Sequence, residues 1–239
     1  MSNKQQRSWL VVAMSQADAV AQAAKSGADV IVLDLVELLA DEHKPAAREK
    51  VRAAIDTVRS GGAEVFVQID PQNHEANLRA CVWPGLSGVV VSRAESAAQI
   101  ESIDKHLLLL EKERRLSAGS TGMVLALETA RGNQDAYAIA TASKRVRGLT
   151  LGRADLVMDL RPEPSGEIHL MPYLMQRLII IARAVGVTPL GAWWRAPDRG
   201  LLATAENTLQ AARRGRAAGF KGALCLRAEQ IAPLNKIYA

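Results

Sequence analysis

The sequence is poor in cysteine and in aromatic residues, and it has no long apolar run. Only 2 of the 239 residues are cysteines, Cys81 and Cys225, which excludes a disulfide scaffold and a cysteine-based zinc site. Aromatic residues make up 4%, too few for the stacking platforms that hold single-stranded nucleic acid. No apolar segment reaches the length of a membrane span, and the polar segment Met1–Ser8 lacks a signal-peptide core. We therefore expect a cytoplasmic protein with neither membrane nor nucleic-acid partners.

The composition is that of an ordinary globular protein, with 49% apolar and 23% charged residues. The net charge is +5, but the charge is spread along the chain. Its two densest groups, Glu111–Arg115 and Arg213–Arg216, fall in helical sequence and are typical of solvated helix faces. The sequence shows no linker and no low-complexity segment, so we expect residues 1–239 to form a single domain.

Short apolar runs alternate with helical patterns along the whole chain. The runs are continuous rather than alternating in polarity, which is typical of parallel strands buried on both faces. They are Trp9–Met14, Asp29–Leu35, Glu64–Asp70, Gly88–Val91, Met123–Glu128, Gly148–Gly152, Leu190–Trp194 and Gly222–Leu226. A helical segment follows each run, and eight such units in a chain of this length predict a (β/α)8 barrel of the TIM type. A doubly wound open sheet is the alternative, but the loop Ala13–Gln16 after the first run has no glycine to bind a phosphate.

The polar residues that end the apolar runs are the candidates for chemistry, because a barrel of this type carries its site at the carboxyl ends of the strands. Glu128 ends the fifth run and Asp155 follows the sixth. Two carboxylates on adjacent strands can share Mg²⁺, which prefers oxygen ligands and can polarise a substrate carbonyl. An equal alternative is that both acids cap the helices that follow. The further candidates are Asp34, Glu37, Gln68, Arg93, Arg131, Arg195 and Arg227.

Some of these side chains have more specific expected roles. Arg131 follows Glu128 closely and is a candidate to orient that acid or to bind a substrate carboxylate. Asp34 is a candidate general base or supporting acid, with a structural hydrogen-bond acceptor as the equal alternative. The four histidines show no metal-ligand spacing, and we expect them to face solvent or to be hydrogen bonded; they are His43, His74, His106 and His169.

At these residues the sequence resembles the citrate lyase beta-subunit-like family, within the wider group of HpcH/HpaI-type aldolases. The most specific segment is Leu127–Gly132, which contains Glu128. Leu151–Leu160, with Asp155 and Asp159, resembles the second acidic motif of the family. Ser26–Leu35 and Gly219–Cys225 also match, so the resemblance runs over nearly the whole chain.

The resemblance implies a barrel that assembles as a homotrimer or hexamer and holds magnesium on Glu128 and Asp155. It implies lyase or aldolase chemistry on a small 2-oxo or 3-hydroxy acid, or on its coenzyme A thioester. Carbon–carbon cleavage would leave an enolate at the metal. In this interpretation Arg131, Asp34 and Glu37 are the catalytic candidates beside the metal pair.

The sequence departs from the family at positions expected to bind substrate. Gln68 stands where the family has a carboxylate-binding arginine, Val36–Glu37 where it has Glu-Asp, and Arg227–Ala228 where it has His-Pro. Gln68 cannot supply the lost charge, and a charge-assisted hydrogen bond is roughly twice as strong as a neutral one.

Two interpretations of these departures remain open. Either Arg93, Arg195 or Arg227 supplies the missing charge to a different substrate, or the chain is a non-catalytic relative that acts as a binding or scaffold protein. The sequence also stops at Ala239, where many relatives continue with a further helical segment.

Overall fold

The structure, a computed structural model, describes residues 5–14, 17–152, 159–160, 164–192 and 204–239. Eight parallel strands form a closed barrel in chain order, because β1 pairs with both β2 and β8. The strands are β1 (Ser8–Ala13), β2 (Val30–Asp34), β3 (Glu64–Ile69), β4 (Gly88–Val91), β5 (Gly122–Leu127), β6 (Val146–Leu151), β7 (Thr188–Ala192) and β8 (Gly222–Cys225). The predicted TIM-type barrel is confirmed, and the open-sheet alternative is wrong.

Helices connect the strands and cover the outside of the barrel. They are α1 (Ala17–Ala24), α2 (Lys44–Ser60), α3 (His74–Cys81), α4 (Ala97–Glu113), α5 (Ala130–Gln134), α6 (Ala136–Thr141), α7 (Pro164–Val185), α8 (Ala205–Ala218) and α9 (Ile231–Ile237). The sequence did not predict α5, because a helix of 5 residues is too short to show a helical period. None of the described helices is long and apolar enough to cross a membrane.

Alternate residues of each strand point into the barrel and out towards the helices. Among the described residues, the inward set forms a small core of nine buried side chains, including Trp9 and Phe66, whose rings lie 4.6 Å apart. The outward set joins the buried faces of the helices in a much larger core. In β5, Val124 belongs to the inner core and Leu125 to the outer one, so the two faces of one strand are both buried. This explains the continuous apolar runs in the sequence.

A buried group of charges lies near the amino-terminal ends of β5 and β6. Glu111 on α4 is fully buried and accepts hydrogen bonds from both terminal nitrogens of Arg145, at 2.8 Å each. It also accepts from the backbone N–H groups of Thr121 and Gly119. Burial alone would raise the pKa of Glu111, but the hydrogen bonds outweigh it and hold that pKa below its ordinary value. The group therefore stabilises the end of the barrel opposite to the carboxyl ends of the strands.

Candidate functional site

Glu128 follows the last residue of β5 and is 4% exposed at the carboxyl end of the barrel. Its Oε2 atom accepts a hydrogen bond from the backbone N–H of Arg93, which follows β4, at 2.8 Å. The alternative that Glu128 caps the next helix is wrong, because Thr129 caps α5 and accepts a hydrogen bond from the N–H of Gly132. The carboxylate of Glu128 is thus held by the end of the neighbouring strand.

Gly152 leaves the space that this carboxylate occupies. A Cβ atom at position 152 would lie 2.4 Å from Cγ of Glu128 and 2.5 Å from its Oε1. Such distances are impossible without displacing Glu128, so only glycine fits beside it. The sequence interpretation missed this role, although a glycine that ends an apolar strand is a known signal of a close approach.

In the sequence, Asp155 lies between Gly152 and Asp159, and these two residues have described contacts at Glu128 and Ala130. Gly152 precedes it and lies against the Glu128 side chain. Asp159 follows it, and its Oδ2 accepts a hydrogen bond at 2.6 Å from the N–H of Ala130, two residues after Glu128. Asp155 itself lies outside the described residues, as does Arg195.

Gln68 is buried at the end of β3, and its Nε2 donates a hydrogen bond to Oγ of Ser92 at 2.8 Å. Ser92 is the residue before Arg93, so this pair is next to the group that holds Glu128. The pair is neutral and offers no charge to a carboxylate at this end of the barrel, whereas a buried arginine would bind one through a charge-assisted hydrogen bond. Ser92 was not among the predicted substrate-binding residues.

Asp34, the last residue of β2, is 1% exposed and lies beside Gln68 in the strand register. Its carboxylate accepts three backbone hydrogen bonds from the loop that follows: from the N–H groups of Val36 and Glu37 to Oδ1, and from that of Leu38 to Oδ2. These bonds fix the loop that follows β2. The geometry favours the positioning role of Asp34 over that of a general base.

Thr150 adds a polar atom inside the barrel, below the level of Glu128. It is 2% exposed on β6, two residues before Gly152, and pairs with Ala126 of β5 and Leu190 of β7. No group of the described residues hydrogen bonds to its Oγ1. Buried hydroxyl groups normally have a partner, so this atom is suited to a ligand or a water molecule in the barrel.

The predicted cationic side chains of the described residues remain at the surface. Arg93, Arg131 and Arg227 follow β4, β5 and β8, and each is exposed. Glu37 is exposed in the loop after β2. Arg93 has a φ of +46°, a value that costs a residue with a side chain about 1–2 kcal/mol. This backbone conformation accompanies the hydrogen bond from its N–H to Glu128.

Neither cysteine fits the role of a nucleophile. Cys81 and Cys225 are both fully buried, and burial raises the pKa of each thiol to about 12. Almost no thiolate would therefore form at neutral pH, so the chemistry of this site depends on oxygen and nitrogen groups.

The sequence and the fold are similar to those of known proteins. The family described as HpcH/HpaI aldolase/citrate lyase matches residues 7–228. A citrate lyase subunit beta of Escherichia coli (strain K12) is 29% identical over 238 residues, which cover 98% of this chain and 76% of that protein.

Two solved structures from M. tuberculosis are similar over 98% of this chain, each at 25% identity. One is a citrate lyase beta subunit complexed with oxaloacetate and magnesium, with a TM-score of 0.71 and 97% of its chain covered. The other is the protein CitE in complex with magnesium, acetoacetate and coenzyme A, with a TM-score of 0.72 and 81% of its chain covered.

Proposed function

The chain belongs to the HpcH/HpaI aldolase/citrate lyase family, and on that premise we propose that it is a magnesium-dependent carbon–carbon lyase or aldolase. Its substrate is a small 2-oxo or 3-hydroxy acid, free or as a coenzyme A thioester. The observation that carries this proposal is the buried carboxylate of Glu128, held by the N–H of Arg93 in a space that Gly152 leaves open. Relatives crystallised with magnesium and with oxaloacetate or acetoacetate support the same chemistry.

The residues around Glu128 fit magnesium. The donor is a hard carboxylate oxygen, and the Arg93 hydrogen bond to Oε2 orients the group. Asp155 is the proposed second ligand: it is three residues from Gly152, a span of at most about 11 Å along an extended chain. Bound magnesium would polarise the substrate carbonyl and stabilise the negative charge that carbon–carbon cleavage leaves on it.

Other side chains of the mouth would bind and orient the substrate. Thr150 can donate its hydroxyl hydrogen to a substrate oxygen inside the barrel. Arg131, with Arg93 and Arg227, supplies positive charge for a carboxylate at the surface of the mouth. Glu37, exposed in the loop that Asp34 fixes, is the proposed acid for proton transfer, with Asp34 as its positioning residue. Arg195 stays a predicted substrate-binding residue.

We further propose that the protein is a cytoplasmic homo-oligomer, a trimer or hexamer. Large apolar side chains are exposed on α4, α6 and α7, and α6 packs against both of the others. They are Leu108, Leu109, Tyr137, Tyr173 and Ile180. Contact with a second copy would bury them. Light scattering after gel filtration tests this: a monomer at micromolar concentration contradicts it.

One observation favours a second candidate, a non-catalytic barrel that binds a partner or a ligand. The Gln68–Ser92 pair is neutral and internally satisfied where the resemblance implies an arginine. A neutral pair gives a substrate carboxylate no charge, so this protein would have kept the metal site and lost the reaction.

A thermal-shift titration tests the proposed function. The protein is titrated with magnesium alone and then with pyruvate, oxaloacetate, glyoxylate or acetyl-coenzyme A in the presence of magnesium. Glu128→Gln and Asp155→Ala are the ligand variants, and Glu95→Gln, half-buried after β4, is the matched control. A ligand that binds only the native state must raise the melting temperature.

We expect a magnesium-dependent rise in the wild type and in the control, lost in both ligand variants. The acid that adds a further rise identifies the substrate class for a lyase assay. If magnesium has no effect on the wild type, or the same effect on Glu128→Gln, the metal site is wrong. Ligand binding without turnover of any acid would select the non-catalytic candidate.

A further inference from the structure

A second cluster of possible metal ligands lies on the outer helices, outside the barrel mouth. His74 and Glu75 begin α3, and His106 lies on the facing side of α4. Nε2 of His106 lies 3.2 Å from Oε1 of Glu75, and Nδ1 of His106 lies 3.1 Å from Nε2 of His74. One ligand atom from each of the three residues can be chosen so that all lie within 4.8 Å of one another. We propose that these residues bind a divalent transition-metal ion of the Zn²⁺ class.

Hydrogen bonds to backbone carbonyls already orient both imidazole rings. Nδ1 of His74 lies 2.7 Å from the carbonyl oxygen of Pro71, and Nδ1 of His106 lies 3.0 Å from that of Ser102. A carbonyl only accepts, so each Nδ1 carries the hydrogen and each Nε2 presents its lone pair. This arrangement, an imidazole that donates its other N–H to a carbonyl, is the usual support of a metal-binding histidine.

The same tautomers leave an unfavourable contact that a cation removes. With hydrogen on Nδ1, the lone pair of His106 Nε2 faces the Oε1 carboxylate oxygen of Glu75 at 3.2 Å. Two acceptors at this distance repel each other unless a proton or a metal ion lies between them. The lone pair of His74 Nε2 faces the Nδ1–H of His106 at 3.1 Å and Oγ of Ser102 at 3.4 Å, and a metal ion would take that lone pair in their place, which a proton between His106 and Glu75 would not.

The donor set selects the class of ion. Two imidazole nitrogens and one carboxylate oxygen suit Zn²⁺, Ni²⁺ or Cu²⁺, whereas Mg²⁺ and Ca²⁺ need a shell of oxygen atoms. Tetrahedral zinc with bonds of about 2.0–2.1 Å sets its ligand atoms about 3.3 Å apart. The His106–Glu75 pair is already at that spacing, and the side chain of Glu75, 68% exposed, is free to adjust. Water would complete the shell, since all three side chains reach the surface.

The cluster shares no residue with the Glu128 site, and its ion would tie α3 to α4. No spacing in the sequence indicates this cluster, because 32 residues separate His74 from His106 and the packing of α3 against α4 brings them together.

Isothermal titration of the untagged full-length protein with ZnCl₂ tests this site, in buffer with excess magnesium so that oxygen-rich sites are occupied. His106→Ala and Glu75→Gln are the test variants, and Glu75→Gln should fold like the wild type because its side chain is 68% exposed. His43→Ala, which removes an exposed histidine outside the cluster, is the matched control. Co²⁺ absorption spectra report whether imidazole nitrogens bind.

We expect one zinc ion per chain in the wild type and in His43→Ala, with affinity at least tenfold lower in both test variants. Glu128→Gln should keep this zinc binding, so a failure of the proposed function would leave the result intact. Equal zinc affinity in wild type and His106→Ala would overturn the site. Absence of zinc binding near pH 8 would also overturn it.

Discussion

The backbone N–H of Arg93 and the Oε2 atom of Glu128 form a 2.8 Å hydrogen bond between the ends of β4 and β5. Arg93 takes a left-handed conformation, with φ at +46°, at this position. Its side chain is exposed. One residue therefore has two separable contributions: the backbone holds the proposed metal ligand, and the guanidinium is available to a substrate carboxylate.

Arg93→Gly and Arg93→Ala should separate these two contributions. Glycine adopts a positive φ without strain, so Arg93→Gly should be about 1 kcal/mol more stable than Arg93→Ala in urea denaturation. Both variants lose the guanidinium, so both should bind the substrate acid about tenfold to a hundredfold more weakly, as expected for a lost charged hydrogen bond. Both keep the N–H, and their magnesium response should stay that of the wild type. A magnesium response kept in Arg93→Gly and lost in Arg93→Ala would mean that the left-handed conformation itself is required, and loss in both would contradict the separation because the guanidinium would then belong to the metal site.

Gly152→Ala should abolish the magnesium response although it removes no ligand. Its Cβ would lie 2.5 Å from Oε1 of Glu128, so the carboxylate must leave its present position. Overpacking of this kind costs about 1–3 kcal/mol of stability. Gly148→Ala is the control, because it crowds the same strand four residues earlier, where the nearest atom is a carbonyl oxygen of Thr188 at 3.1 Å. Thermal shifts with magnesium should be lost in Gly152→Ala and kept in Gly148→Ala; equal responses would contradict the proposed role of Gly152.

The fold could be predicted from the sequence because the continuous apolar runs mark the strands of the barrel. Runs such as Asp29–Leu35 are buried on both faces, inside against the barrel core and outside against helices, and this is what makes them continuous. The strand ends differed by a residue or two, as where β2 ends at Asp34 because the carboxylate of that residue already fixes the following loop.

The site could be predicted only in part. The sequence shows which residues follow each strand at the carboxyl end of the barrel, but it does not show which groups those residues contact. Glu128 was predicted from its place after an apolar run. Its support by a backbone N–H of Arg93 and the space left by Gly152 depend on the register between strands, which the sequence does not show. Ser92 and Thr150 were missed because hydroxyl groups are common in strands, and their meaning comes from burial and from hydrogen-bond partners.

Gln68→Arg should change which acids bind. It places a charge where the family resemblance implies one, so affinity for an acid with a second carboxylate, such as oxaloacetate, should rise about tenfold relative to pyruvate. Stability should fall by about 1 kcal/mol or more, because Ser92 loses the hydrogen bond from Gln68. Gln68→Met is the control, since it removes the same bond without adding charge. If the two variants bind both acids alike, position 68 does not face the substrate.

Glu111 should make the stability of the barrel depend on acid pH. Its pKa in the native protein lies below the ordinary value of 4.5, so above about pH 4.5 the carboxylate is ionised in both states and its stabilising contribution is complete. As the pH falls below 4.5 towards the lower native value, the unfolded state binds a proton first and the stabilising contribution of Glu111 is lost.

Glu111→Gln removes a carboxylate that pairs with the buried guanidinium of Arg145. The free energy of unfolding should therefore fall by about 3 kcal/mol at pH 7. Urea denaturation from about pH 3 to pH 7 should show a smaller loss of stability with acid in Glu111→Gln than in the exposed control Glu113→Gln, because the titrating carboxylate is gone. Parallel pH profiles for the two variants would show that Glu111 titrates alike in the folded and unfolded chain.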